Sequence, residues 1–123
     1  MVYIKEAHPI DLWQTRANLR DGVLVSSPRT EADRSSNASQ CVRDLGIRLP
    51  ALIDGINDNV ERDYTGWPER LYIIVPGGRV VYKSKPGPFG FSPKAMEPYL
   101  RQALALAAAP QPKPPSALKS VTS

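Results

Sequence analysis

Glu6 and His8 stand two residues apart in the run Tyr3-Ile4-Lys5-Glu6-Ala7-His8. At the end of a strand, the two-residue alternation predicts both side chains on one face. A carboxylate beside an imidazole favours its protonated form and fixes its tautomer, which suits a proton donor near neutral pH. The same pair would serve equally as a brace for the loop that follows, and the residues alone leave both readings open. Cys41 is the only cysteine, so it is the one thiol to weigh as a nucleophile. It falls mid-helix on an apolar face between Ala38 and Leu45, with neither a helix N-terminus nor a histidine nearby to lower its pKa. A structural thiol is the expectation. With Cys41 and His8 as the only soft ligands, no metal site is expected, and one thiol excludes an internal disulfide framework.

The elements that must position these residues follow from periodicity and caps. Val2 to Lys5 reads as a short strand of β-branched and aromatic residues. Asp11 to Ser27 reads as polar and irregular, with a turn at Asp21-Gly22; within it Asp11 and Trp13 would pin the loop. Thr30 and Asp33 predict a reciprocal cap that opens a helix. Ala38, Cys41, Val42 and Leu45 give that helix its apolar face, and Gly46 fits the left-handed position that ends it. Pro50 to Ile53 reads as a short buried strand ending at Asp54-Gly55. Asn59 to Tyr64 reads as a brief helix, and Thr65-Gly66-Trp67-Pro68 as a turn. Arg70 to Val75 and Arg79 to Lys83 predict a hairpin around Pro76-Gly77-Gly78. Lys85 to Phe91 is a Gly/Pro loop, in which Lys85, Gly87 and Pro88 either line a cleft or simply turn the chain. Ser92 caps a last helix with Pro93 at its first position, and Met96, Leu100, Ala103 and Leu104 form its buried face. From Ala109 onward the Pro- and Ser-rich composition predicts a disordered tail, residues 109–123, behind a single domain over 1–108.

Composition limits the functions. The chain has 123 residues, enough for one domain with a core of its own. Hydrophobic residues make up 41% and charged residues 23%, and the net charge is +4. The basic residues are scattered among acids, which reads as solubility and not as a nucleic-acid footprint. No apolar stretch approaches the ~18 residues of a membrane span, and no charged-then-apolar leader is visible, so the expected compartment is the cytoplasm. No G-x-G-x-x-G or P-loop spacing occurs, so no nucleotide cofactor is expected. The order β, loop, α, β, short α, β-hairpin, α is that of the second part of a thioredoxin-like α/β domain. Such a domain also has a strand and a helix ahead of the position of Val2. An apolar face left unmet for want of them would bring copies together, as a homodimer.

Three motifs resemble the iodothyronine deiodinase family. That family carries Y-I-x-E-A-H-x-x-D-G-W; here the segment reads Tyr3, Ile4, Lys5, Glu6, Ala7, His8, Pro9, Ile10, Asp11, Leu12, Trp13, with Leu12 in place of the glycine. Its P/F-E-R-L-Y segment appears as Pro68, Glu69, Arg70, Leu71, Tyr72. Its Y-x-G-x-x-G-P-x-x-Y/F loop appears from Tyr82 through Gly87, Pro88 and Phe91, with Ser84 replacing the first glycine. The likeness runs from Val2 to about Leu104. It implies a thioredoxin-like fold lacking its N-terminal strand and the helix that bears a selenocysteine or, in bacterial relatives, a cysteine. It also implies that Tyr3, Glu6, His8 and Glu69 form a proton relay serving that nucleophile, in reductive dehalogenation or thiol-peroxidase-type chemistry. The partners implied are a thiol reductant and a small-molecule substrate. Pro28 and Pro86 stand where vertebrate members carry a histidine and an arginine, which removes a proton donor and a cation from hormone recognition. Trp67-Pro68 falls where thioredoxin-like proteins place a cis-proline, and both isomers stay open. The functional expectation is an oxidoreductase domain holding the relay but not the nucleophile; the alternative is a non-catalytic module that keeps the fold as an interaction scaffold.

Overall fold

A computed structural model describes residues 1–109; the rest of the expected tail lies outside the described residues. By packing, the chain divides into two compact units, one comprising Met1–Arg70 with Ser84–Phe91, the other Leu71–Lys83 with the segment from Ser92 onward.

In the first unit, β1 (Val2–Tyr3) pairs in parallel with β2 (Leu52–Ile53), Val2 opposite Leu52 and Tyr3 opposite Ile53. The Leu52 amide donates to the Met1 carbonyl at 2.9 Å and the Asp54 amide to the Tyr3 carbonyl at 2.8 Å. Parallel neighbours need a long crossover. It contains α1 (Arg16–Arg20) and α2 (Glu31–Asp44). The short α1 lies inside the stretch expected to be irregular: Thr15 accepts from the Asn18 amide, and Gly22, at φ +70°, follows its end. Local capping made a helix there without any apolar periodicity to announce it. The reciprocal Thr30–Asp33 cap of α2 forms as expected. At the other end Gly46 takes φ +60°, its amide bonding the Arg43 carbonyl and the Ile47 amide the Val42 carbonyl. This is the left-handed exit that glycine permits. Ala38, on the inner face of α2, is buried. β2 differs from expectation, because Leu52 and Ile53 are both exposed. A two-residue strand with a single neighbour is apolar without being covered.

α3 (Asn59–Tyr64) occupies the expected residues and begins from Asp58 in the left-handed region. Its first free amides are met from a distance: buried Asp54 accepts from Val60 and Glu61 at 3.0 and 2.8 Å. The peptide bond between Trp67 and Pro68 is cis, and so is that between Gly87 and Pro88.

The second unit is the hairpin β3 (Tyr72–Ile74) and β4 (Val80–Lys83), antiparallel with Ile73 opposite Tyr82, and α4 (Pro93–Ala108). Gly77 and Gly78, at φ +90° and +83°, make the turn that residues with a Cβ resist. A register shift between Ile73 and Ile74 marks a bulge. Ser92 caps α4 through the Ala95 amide, with Pro93 in the first turn. α4 meets β4 through Tyr82 and Tyr99, ring centroids 4.8 Å apart. Of the face expected to be buried, Met96 and Ala103 are half-buried, whereas Leu100 and Leu104 are exposed. The expectation of one central sheet also changes, because among the described residues the four strands form two separate two-stranded sheets.

Candidate functional site

β1 ends at Tyr3, so Glu6 and His8 do not lie on a strand. His8 takes φ +60°, a left-handed conformation rare for a side-chain-bearing residue. The alternation that predicted a shared face therefore does not apply, and each side chain is oriented by a different part of the unit.

Glu6 turns to α2. Its Oε1 accepts from Asn37 Nδ2 at 3.1 Å, and its Oε2 lies 3.8 Å from Arg34 Nη2. Arg34 and Asn37, three apart, project from one side of the helix. Glu6 also acts on the Tyr3 hydroxyl. Burial, and then the Glu6 charge, push the Tyr3 phenol far above its ordinary value, so it stays a protonated donor.

Arg34 is the centre of this cluster. It is 3% exposed. Its Nη1 donates to the Gly55 carbonyl at 2.5 Å and to the Asp54 carbonyl at 3.4 Å, and lies 2.8 Å from Asp58 Oδ1. One buried guanidinium thus holds the segment after β1, the segment after β2 and the start of α3. Such a charge is tolerated inside only when paired and bonded, and here two carboxylates face it. Arg34 was not among the residues singled out in the sequence. The signal was present: Arg34 sits four before Ala38 and seven before Cys41, on the register of the apolar face. A cation on that register calls for a buried anion.

His8 turns to the α1 side. Its ring meets Trp13 edge-on, centroids 4.2 Å apart at 80°, and its carbonyl accepts from Asn18 Nδ2 at 3.5 Å. Its Nδ1 is buried without a hydrogen-bond partner among the described residues, and so is Glu6 Oε2. The two atoms are therefore not bonded to each other. The Glu69 carbonyl accepts from the Gly87 amide at 3.0 Å, and its side chain fills the space a Cβ on Gly87 would need. Of the four expected relay residues, Tyr3 is influenced by Glu6, His8 meets Trp13, and Glu69 meets Gly87.

Asp11 accepts from the Ser27 amide at 2.8 Å, which holds its carboxyl below the usual range and pins the loop. Asp11, Ser26, Ser27, Arg29, Asp33 and Asn37 line an open polar cleft of about 470 Å³. Asn37 joins that cleft to the Glu6 cluster, since its amide also donates to the Ser26 carbonyl. Cys41 is half-buried on α2, and burial, then Asp44, push its thiol up. Lys85 and Pro88 are exposed in their loop. Among the described residues no group of three or more His, Cys, Asp or Glu is placed to hold a metal ion.

A family model described as iodothyronine deiodinase matches residues 1–104. The type I iodothyronine deiodinase of Xenopus laevis is 32% identical over 94 residues, covering 76% of this chain and 35% of that protein. The type II iodothyronine deiodinase of Petromyzon marinus is 35% identical over 103 residues, 81% of this chain and 34% of that one. The thyroxine 5-deiodinase of Ovis aries is 27% identical over 113 residues, 92% and 37%. The chain spans about a third of the length of these curated relatives.

Proposed function

The chain belongs to the iodothyronine deiodinase family, and on that premise we propose that residues 1–123 act as a non-catalytic, thioredoxin-like binding module. The observation that carries this reading is the engagement of Glu6. The carboxylate that would charge His8 is held by Arg34 and Asn37, and the one thiol, Cys41, is kept protonated by burial on a mid-helix face. A thiol is a poor nucleophile until it ionises. The polar cleft beside Asn37 is the recess such a module offers a ligand. A cytoplasmic setting belongs to the same proposal.

A second reading keeps the family's chemistry. In it Tyr3, Glu6, His8 and Glu69 relay protons to a selenol or thiol that is not among these residues. A thiol reductant restores that group after it has attacked a halogen or peroxide oxygen. The buried, unpartnered Nδ1 of His8 favours this reading, since a ring nitrogen kept free of structural duty is available to move a proton.

Assays of the purified 123-residue chain test the module reading. With iodothyronines or hydrogen peroxide as substrate and a dithiol as reductant, the expected rate equals that without protein. Turnover that disappears in Cys41→Ser would overturn the module reading.

A further inference from the structure

Glu6 and His8, two residues apart, are anchored to different elements. The carboxylate is drawn to α2 by Arg34 and Asn37; the imidazole is held against Trp13, with its backbone tied to Asn18 at α1. Each of the two residues carries one buried polar atom of complementary chemistry, Glu6 Oε2 and His8 Nδ1, without a hydrogen bond among the described residues. Leaving a buried acceptor and a buried ring nitrogen unpaired is costly. The mispairing persists because Arg34 claims the carboxylate: a guanidinium 3% exposed loses more by giving up an anion than His8 gains by acquiring one. Arg34 Nε is likewise buried and unpartnered, so its hold on Glu6 is made through charge and one face of the fork, not through a saturated bidentate pair.

We propose that Arg34 is a positioning residue that acts on His8 through Glu6: the Arg34–Glu6 pair keeps the carboxylate on the α2 side, and its loss lets the same carboxylate accept a hydrogen bond from His8 Nδ1. Which ring nitrogen carries the proton is set by the bond the other can make. With no acceptor at Nδ1 the proton sits on Nε2; with Glu6 released it moves to Nδ1, and Nε2 becomes a lone-pair base. Arg34 thereby decides which nitrogen of the only histidine can accept a proton. The proposal rests on the reading that Glu6 is withheld from His8, and it concerns how that withholding is imposed.

Long-range ¹H–¹⁵N NMR of the labelled full chain tests it, because one histidine gives one pair of ring nitrogens. Spectra at about pH 9, well above the ordinary imidazole value of ~6.5, report the neutral tautomer. The wild-type chain and Glu6→Ala are expected to show the same Nε2–H form. Arg34→Gln should convert His8 to mainly Nδ1–H, the Arg34→Gln/Glu6→Ala double variant should revert to Nε2–H, and Arg34→Lys, which keeps the cation, should match wild type. An unchanged tautomer in folded Arg34→Gln overturns the proposal, as does a conversion that survives Glu6→Ala. Should Arg34→Gln lose the fold by circular dichroism, the wild-type and Glu6→Ala pair decides. Identical Nε2–H spectra are the result the proposal requires, and a wild-type Nδ1–H signal that vanishes in Glu6→Ala overturns it. The measurement needs no turnover, so a catalytically active chain would remove the module reading and leave this result standing.

Discussion

Asp54 shows how one side chain can organise several elements. It is 1% exposed. Its carboxylate accepts from the Val60 and Glu61 amides, its amide donates to Tyr3 of β1 and its carbonyl accepts from Arg34 of α2. The amides at the start of α3 have no partner within the helix, and the N-cap residue Asp58 makes no side-chain cap. Asp54→Ala removes both acceptors at once and leaves two donors stranded, so a loss of about 3 kcal/mol is expected. Asp54→Asn keeps one oxygen and should lose roughly half as much. Urea unfolding of the two variants checks this, and equal midpoints for wild type and Asp54→Ala would show that solvent caps α3 instead.

At the scale of the element, the end of α2 rests on backbone conformation alone. Gly46 sits at φ +60° with nothing within 4 Å of where a Cβ would lie. A methyl group there meets no neighbour, so Gly46→Ala measures the left-handed penalty by itself, about 1 kcal/mol. Gly46→Asn should cost less, because asparagine tolerates this region. The comparison is made by thermal unfolding, and an Ala variant as stable as wild type would mean that the helix continues past Leu45. Gly90 in the loop before α4 contrasts with this, since a Cβ there would lie 2.6 Å from the Pro86 carbonyl oxygen and 2.5 Å from Lys85 Cβ. That glycine answers to space, not to φ.

For the whole molecule the governing fact is how little apolar surface is covered. Among the described residues the buried hydrophobic side chains are Ala38 and Ile73, whereas Leu12, Leu52, Leu104 and Leu106 are all more than 60% exposed and Phe89 is fully so. Exposed apolar area contributes about 25 cal/mol per Å² when removed from water, and contiguous patches of it mark sites of association. The 123-residue chain at tens of micromolar is therefore expected to bind a hydrophobic dye and to sediment with a concentration-dependent mass above that of a monomer. A monomer at all concentrations, with no dye binding, would contradict this.

Local rules were enough for much of the architecture. The Thr30–Asp33 cap, the Gly46 exit, the bounds of α3, the Gly77-Gly78 turn and the Ser92 cap each depend on residues within a few positions of one another, and each is legible in the sequence. The presence of α2 and α4 follows from spacing for the same reason. Which sides of β2 and α4 are covered depends on what packs against them, and apolar spacing states only what is available for burial. Placement of the candidate site was a tertiary matter throughout. Alternation put Glu6 with His8, but the strand stops at Tyr3, His8 enters the left-handed region, and the choice of partner passes to α2 and α1. Arg34 lies 28 residues from Glu6 in sequence and meets it only because the crossover returns α2 against β2, the strand paired with β1. No local pattern encodes that meeting: a buried cation takes the nearest anions the fold provides, and the fold provides Glu6 and Asp58.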